Sequence, residues 1–327
     1  MRILVTGATG FIGSHTAAAL VAHGHQVRVL ARNPSRVPLA LGPHGVEPEV
    51  AVGDMTDPIA VARAIAGCDG VIHAAAQTDV GASDATGRSN LEGVRTVLGA
   101  AIEHGLPRIV YTSSVSVHMP PTDATITLQS PLAEPMSSYS ASKIAAEHLV
   151  RAWQAEGKPI TTVVVGGAYG PLAPDLINGF RAILAAVEAR MMLTPAGGTT
   201  VIDVRDLALL LARTVDQVSV PPRVLAGGHF LTWERWVDAL EAAVGHVIVK
   251  QPVTRDEILN LAKQLTNAAA GQSSPLTEEA AMIMASGVPV DGQRSLDELG
   301  ITLRPVEETF ADTVEYLRSI GRLPSPA

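Results

Sequence analysis

The stretch Thr6-Gly7-Ala8-Thr9-Gly10-Phe11-Ile12-Gly13 decides the fold of this chain. A short β-branched run that begins at Arg2 leads into it, and small and apolar residues follow it at helical spacing as far as Gly24. This order of strand, glycine turn and helix is typical of a dinucleotide site. Glycine lets the backbone approach a pyrophosphate, whose charge then faces the helix N-terminus. The spacing is GxxGxxG, whereas GxGxxG is the common fingerprint.

Outward from this turn, strands alternate with helices through the first half of the chain. Further strands are predicted at 26–31, 50–52, 70–73, 108–112 and 160–165. This alternation predicts an α/β fold with a Rossmann-type doubly wound parallel sheet. We expect residues 1–170 to form this dinucleotide-binding domain, with 203–226 returning to it.

The regular alternation ends after the glycine-rich segment 166–171. Helices are then predicted at about 175–190, 203–216, 232–244 and 305–321, with short strands near 200, 224 and 248. Residues 252–275 are interpreted as a mobile flap or a surface helix. We expect 171–327 to form a smaller, mixed substrate-binding region that ends in the last of these helices.

Two arginines follow the second predicted strand. An acidic residue near this point usually hydrogen-bonds the ribose of a cofactor that lacks a 2′-phosphate. This chain has Arg32 there and Arg36 four residues later, and a guanidinium matches the geometry of a phosphate. The sequence therefore predicts NADP as the cofactor, with NAD as the alternative. The competing interpretation is that both arginines are solvated loop residues.

Tyr139 and Lys143 are four residues apart, so in a helix their side chains share one face. A phenol with its ordinary pKa of about 10 is a poor acid-base catalyst at neutral pH, and a neighbouring ammonium favours the phenolate. We therefore expect Lys143 to lower the pKa of Tyr139, which would exchange a proton with a carbonyl oxygen. Ser114 follows the fifth predicted strand, at the edge where doubly wound folds bind ligands. The alternative is an amphipathic helix that carries the pair by chance.

Composition and charge exclude several classes of function. The chain has 327 residues, 47% of them hydrophobic, and a formal net charge of −8 without a basic run, so we expect no nucleic-acid partner. No apolar run reaches about 18 residues and the strand at Arg2 leaves no room for a signal peptide, so we expect no membrane partner. Cys68 is the only cysteine, which predicts a reducing, cytoplasmic location, and the histidine spacing predicts no metal site.

With these motifs the chain resembles the extended short-chain dehydrogenase/reductase superfamily, which includes NAD-dependent epimerases and dehydratases. Residues 6–13 match its TGxxGxxG, and Tyr139 with Lys143 matches its YxxxK. Thr112-Ser113-Ser114 matches the segment that supplies its catalytic hydroxyl. Arg32 in place of an acid is similar to the branch of dihydroflavonol reductases and hydroxysteroid dehydrogenases. Val117-His118-Met119 departs from the Val-Tyr-Gly of its nucleotide-sugar enzymes.

The resemblance implies a role for each catalytic residue. Tyr139 would protonate the developing alkoxide, Ser114 would hold that oxygen, and Lys143 would grip the nicotinamide ribose. Asn90 looks like the superfamily's helix asparagine. The expected cofactor-binding residues, from the glycine turn to the tyrosine helix and the strand that follows it, are Gly7, Thr9, Gly10, Phe11, Ile12, Gly13, Arg32, Arg36, Asp54, Met55, Ala74, Ala75, Thr112, Tyr139, Lys143 and Gly166.

The leading interpretation is an NADP-dependent reductase of ketones or aldehydes whose substrate is small and fairly apolar, because the loops that determine specificity are mostly apolar or small. One alternative is a nucleotide-sugar epimerase or dehydratase, which needs a diphosphate site, with Arg181, Arg190 and Arg235 as candidates. Another is a regulator that binds NADP and catalyses nothing, which could dispense with the tyrosine and lysine. Oxidation of NADPH by added carbonyl compounds would discriminate among them. The resemblance also implies a homodimer through two long helices.

Overall fold

The computed structural model describes residues 1–77, 84–217, 221–268 and 276–324. The strands are β1 (Arg2–Thr6), β2 (Gln26–Ala31), β3 (Glu49–Val52), β4 (Gly70–His73), β5 (Arg108–Ser114), β6 (Ile160–Val165), β7 (Gly167–Tyr169), β8 (Met191–Pro195), β9 (Gly198–Asp203), β10 (Arg223–Ala226), β11 (His229–Thr232) and β12 (Val249–Val253). The helices are α1 (Phe11–Ala22), α2 (Arg36–Leu41), α3 (Pro58–Ile65), α4 (Asp84–Glu103), α5 (Ser138–Ala155), α6 (Asn178–Ala189), α7 (Val204–Asp216), α8 (Trp233–Val244), α9 (Arg255–Ala268), α10 (Glu278–Ser286), α11 (Gln293–Glu298) and α12 (Val306–Ser319).

Seven parallel strands form the large sheet, in the order β10-β6-β5-β4-β1-β2-β3. Every residue of β4 and of β6 is buried, as continuous apolar strands are when helices cover both faces of a parallel sheet. The register places Thr6 beside His73 and His73 beside Tyr111, so β1, β4 and β5 end together at the carboxyl edge. The predicted Rossmann-type sheet is confirmed.

Two apolar layers cover this sheet. On one face α1 and α7 pack together over β1, β2 and β6, with Leu20 and Leu207 among their fully buried residues. On the other face α3, α4 and α5 pack over β4 and β5, around Leu98 and Tyr111. The segment 203–226 therefore supplies a covering helix, α7, and the edge strand β10.

A second core lies among α6, α8 and α12, where Trp236 and Phe310 are fully buried and their rings meet edge to face at 5.5 Å. Two small sheets accompany it, one of β11-β9-β7 and one of β12-β8. The mixed region that was predicted after the glycine-rich segment is therefore present. In the described part of the chain, no helix is both long and apolar enough to cross a membrane.

The sequence predicted most element boundaries to within a few residues, but it missed several short elements. β7, β8, β11, α2, α10 and α11 were not predicted. Within the predicted flap, α9 ends at Ala268, and residues 269–275 lie outside the described residues. The missed helix α10 begins just beyond that segment, with Thr277 as its N-cap.

Candidate active site

The three glycines of the turn between β1 and α1 are required for different reasons. Gly7 has a φ of +77°, and a Cβ placed there would lie 2.6 Å from the backbone nitrogen of Ala75. A Cβ on Gly13 would lie 2.1 Å from the carbonyl oxygen of Gly7. At Gly10 that same oxygen, at 3.3 Å, is the only close atom among the described residues. Gly7 therefore allows close contact with the backbone of Ala75, and Gly13 allows close contact with the backbone of Gly7. Gly10, in contrast, leaves open space beside the turn.

The N-terminus of α1 fits the pyrophosphate of a dinucleotide. Gly10 is its N-cap, no side chain caps the helix, and no acidic residue stands in its first turn. The first amides of a helix lack partners within the helix and carry its positive dipole end, so they bind anions. Open space beside Gly10 and uncapped amides are the arrangement that a phosphate requires.

At the end of β2, both arginines are exposed and both lie near carboxylates. The guanidinium of Arg32 is 3.7 Å from the carboxylate of Asp54, and its side chain is 66% exposed. Asp54 accepts hydrogen bonds from the backbone and the hydroxyl of Thr56, both at 2.8 Å. Partial burial works to raise the pKa of Asp54, but those bonds and Arg32 together hold it below the usual value. Arg36 is hydrogen-bonded to Asp175 of the segment between β7 and α6.

The other predicted cofactor residues border the same edge of the sheet. The backbone nitrogen of Ala74 donates to Thr6 at 3.2 Å, which holds the strand end against the glycine turn. Asn90 on α4 clamps the loop after β4, because its amide both accepts from and donates to the backbone of Gln77, at 2.9 and 3.0 Å. Met55 packs on Gly93 of α4, where a Cβ would lie 2.6 Å from its sulfur. Gly166, in turn, allows close contact with Thr200 and Gly227.

Ser114 lies beside Tyr139, close enough for its hydroxyl to act on the pKa of the phenol. Ser114 ends β5, and its Oγ also accepts a hydrogen bond from the backbone nitrogen of Ser116 at 3.2 Å. A hydroxyl is a donor as well as an acceptor, so Ser114 can accept from Ser116 and still donate its proton to an oxygen beside it. Tyr139 is the second residue of α5, whose N-cap is Ser137.

Lys143 lies one turn further along α5 and is only 6% exposed. Its Nζ donates to the carbonyl oxygen of Thr112 at 3.0 Å and lies 5.2 Å from the ring centroid of Tyr111. Burial lowers the pKa of Lys143 to about 8, although the negative charge of Glu147 opposes this. The ammonium is thus held at the carboxyl end of β5. Its pKa of about 8 lies close to neutral pH.

One electrostatic expectation was wrong. Lys143 was expected to lower the pKa of Tyr139, but burial raises it, and the hydrogen bond from Ser114 opposes the rise. The physical reason is that the Lys143 ammonium is directed to the backbone of Thr112. At neutral pH Tyr139 is therefore a protonated phenol.

His73 packs behind this group and is not a candidate base. Its Nδ1 is hydrogen-bonded to the hydroxyl of Thr6 at 2.7 Å, while Thr112 donates to its carbonyl oxygen at 3.1 Å. Complete burial, reinforced by the charge of Lys143, lowers the pKa of His73 to about 3. Its neutral ring fills the space beneath Lys143.

Sequence reasoning missed Glu279, which comes from α10 and is 8% exposed. Its carboxylate accepts a hydrogen bond from Ser137 at 2.8 Å. The residues Thr277-Glu278-Glu279 carry a recognisable helix-start signal. That signal predicts a helix, but it cannot predict contact with a residue 142 positions away. Among the described residues, no cluster of histidine, cysteine and acidic side chains is suited to a metal ion.

Comparisons with known proteins agree with this geometry. The model of the NAD-dependent epimerase/dehydratase family matches residues 3–225. The 2-alkyl-3-oxoalkanoate reductase of Stenotrophomonas maltophilia is 35% identical over 265 residues, which cover 75% of this chain and 76% of that protein. The sterol demethylase protein B of Methylococcus capsulatus is 29% identical over 334 residues, which cover 99% of this chain and 100% of that protein.

Solved structures show the same fold. The UDP-glucose 4-epimerase from Bifidobacterium longum, in complex with NAD+ and UDP, gives a TM-score of 0.77 at 21% identity, over 98% of this chain and 99% of that one. The family model spans both the glycine turn and the tyrosine helix. The chain therefore belongs to the NAD-dependent epimerase/dehydratase family and is an NAD(P)-dependent oxidoreductase.

Proposed function

We propose that this protein is an NADP-dependent reductase of ketones or aldehydes and that its substrates are small and fairly apolar. The observation that carries the proposal is the position of Ser114 beside Tyr139, at the strand end where the buried ammonium of Lys143 is held. A protonated phenol and a second hydroxyl beside it can stabilise the negative charge that develops on a carbonyl oxygen, the hydroxyl by a hydrogen bond and the phenol by donating its proton.

In this proposal the side chains divide the work. Ser114 donates its hydroxyl proton in a hydrogen bond to the substrate oxygen and holds it beside Tyr139. The Tyr139 hydroxyl then transfers its proton to that oxygen, which becomes the alcohol. Lys143, whose ammonium is held at the end of β5, would bind the nicotinamide ribose of the cofactor. A positioned general acid of this kind contributes a factor of about 10²–10⁴ in rate.

The bound nicotinamide cofactor would supply the hydride. The amides at the N-terminus of α1 would hold its pyrophosphate beside Gly10, and Asp54 with Met55 would border its adenine. Arg32 supports a preference for NADP, because its exposed guanidinium has room to fork onto a 2′-phosphate. Arg36 offers a second guanidinium, which now pairs with Asp175.

The surroundings of the catalytic pair favour an apolar substrate. Val115 follows Ser114, Met136 precedes Ser137, and both belong to one apolar cluster with Ile283 of α10. One relative is named for sterol demethylation, and a sterol is largely apolar. Another is named a 2-alkyl-3-oxoalkanoate reductase, and such a molecule has alkyl chains beside its one carboxylate. The three arginines considered for a diphosphate, on α6, at its end and on α8, are all exposed.

Consumption of NADPH tests the proposal. A panel of neutral aldehydes, ketones and oxo-sterols is compared with matched carboxylated compounds and with UDP-glucose. We expect oxidation of NADPH with neutral carbonyl compounds, at a rate that falls by at least about 10²-fold in Tyr139→Phe. Conversion of UDP-glucose without net consumption of cofactor would instead identify an epimerase. Cofactor binding with no turnover of any compound would favour the regulator.

The proposal extends to the setting of the enzyme. We propose a cytoplasmic location, because Cys68 is the only cysteine in the sequence and a single cysteine fits a reducing compartment. A homodimer through α4 and α5 is proposed from the family resemblance, and sedimentation of the full chain tests it.

A further inference from the structure

Helix α10 reaches the N-terminus of the helix that carries Tyr139. Glu279 is the second residue of α10, and its Oε1 accepts a hydrogen bond from the Ser137 hydroxyl at 2.8 Å. Ser137 is the N-cap of α5, and the same hydroxyl oxygen accepts from the backbone nitrogen of Ser140 at 3.1 Å. One serine side chain therefore joins the two helices.

The charge of Glu279 suits this place. The N-termini of α5 and α10 both approach its carboxylate, and each presents the positive end of a helix dipole. A carboxylate near a helix N-terminus is stabilised by that dipole, and more strongly when it is partly buried than when it is exposed. The side chain is only 8% exposed, so solvent weakens these interactions little.

We propose that Glu279 is a positioning residue that fastens α10 to the N-terminus of α5 and presents a negative charge to Tyr139. The consequence for catalysis rests on the proposed function, whereas the contact itself does not. Among the residues that the structure describes, the charged and titratable groups around Tyr139 come from three elements: Tyr111 from β5, Lys143 from α5 and Glu279 from α10.

The negative charge favours the acid form of the phenol. Burial is the larger cause of the raised pKa of Tyr139, and Glu279 adds to it while Ser114 opposes it. Glu279 therefore helps to keep Tyr139 able to give a proton to a carbonyl oxygen. Because Glu279 lies on α10, its effect on the pKa of Tyr139 depends on the docking of α10 against α5.

Three variants separate the contact from the charge. Glu279→Gln keeps an oxygen that accepts from Ser137 but removes the charge. Glu279→Ala removes both. Glu278→Gln is the matched control, because Glu278 is the neighbouring exposed acid in the same helical turn.

Two spectroscopic signals report the two effects without any need for turnover. The chain has four tyrosines and three tryptophans, so ring-labelled Tyr139 and the indole of Trp233 can be assigned by single Phe variants. The indole nitrogen of Trp233 donates to the carbonyl oxygen of Met284 on α10 at 2.8 Å, so its hydrogen exchange reports docking of that helix. The carbon-13 shift of Tyr139 against pH reports ionisation of the phenol, with circular dichroism to check the fold.

We expect Glu279→Gln to move the titration of Tyr139 to lower pH, by a few tenths to about one unit, and to leave exchange at Trp233 unchanged. Glu279→Ala should shift the titration and also accelerate exchange at Trp233. Glu278→Gln should change neither. Equal titrations in Glu279→Gln and Glu278→Gln would overturn the electrostatic role. Unchanged exchange in Glu279→Ala would overturn the fastening role. Failure of the reductase assay alone would leave both results standing and would remove only the proposed function.

Discussion

Substitution of Gly10 should separate cofactor binding from folding. Gly10 has φ −104° and ψ 176°, an extended conformation that a valine adopts without strain. An added Cβ has one close neighbour, the Gly7 oxygen at 3.3 Å. Valine is a poor N-cap, so Gly10→Val should lower the free energy of unfolding by about 1 kcal/mol or less. The variant should therefore remain folded.

The cost to cofactor binding should be much larger. The valine side chain would occupy the space beside the first amides of α1, where the pyrophosphate is proposed to bind. Loss of one charge-assisted hydrogen bond is worth roughly 1.5–3 kcal/mol, which corresponds to about a ten- to hundred-fold weaker Kd. Loss of two such bonds would make NADPH binding undetectable in an ordinary titration.

NADPH fluorescence titration measures this loss, and circular dichroism checks the fold. Gly13→Ala is the contrasting variant, because its Cβ would lie 2.1 Å from the Gly7 oxygen, so it should destabilise the fold itself. Gly99→Ala is the neutral control, since a Cβ on that residue of α4 has no atom within 4 Å. A folded Gly10→Val with the Kd of the wild type would refute the assignment of this turn as the pyrophosphate site.

Three further predictions follow from charged groups. Wild type should bind NADPH about ten- to a hundred-fold more tightly than NADH, and Arg32→Asp should reverse this order at fixed ionic strength; equal wild-type constants would exclude a role for Arg32. Burial lowers the pKa of Lys143 to about 8, so the ammonium is lost as pH rises, and kcat for carbonyl reduction should be level at neutral pH and fall through about pH 8. Burial, and next the charge of His44, lower the pKa of His15 from 6.5 to about 4. Between these two pH values the imidazole is protonated in the unfolded chain but neutral in the native state. Stability should therefore fall by up to roughly 3 kcal/mol as pH drops from about 6.5 to about 4, and His15→Gln should flatten this dependence in urea unfolding.

The sequence predicted the large sheet well, because its signals are local. Continuous apolar runs predicted β2, β4 and β6 with the bounds that the structure gives them. Asp57 is an N-cap residue type at the start of α3, and its carboxylate accepts from the amides of the first turn. The short strands β7 and β11 were missed, because three or four residues carry too little periodicity to be recognised.

The site was harder to predict wherever distant segments meet. The spacing of Tyr139 and Lys143 predicted a shared helix face, and the structure places both on α5. It could not predict that the Lys143 ammonium points to the backbone of Thr112, and so the expected pKa of Tyr139 had the wrong direction. The contact of Glu279 with Ser137 joins residues that no local pattern relates.

The most direct test of the central claim is carbonyl reduction by Tyr139→Phe at saturating NADPH. The variant removes one hydroxyl and keeps the ring, so the fold and the Kd for NADPH should match the wild type. The rate constant for reduction of the best neutral carbonyl substrate should fall by at least about 10²-fold, the lower range for general acid catalysis. A rate within a few-fold of the wild type would contradict the account, because Tyr139 could not then be the proton donor.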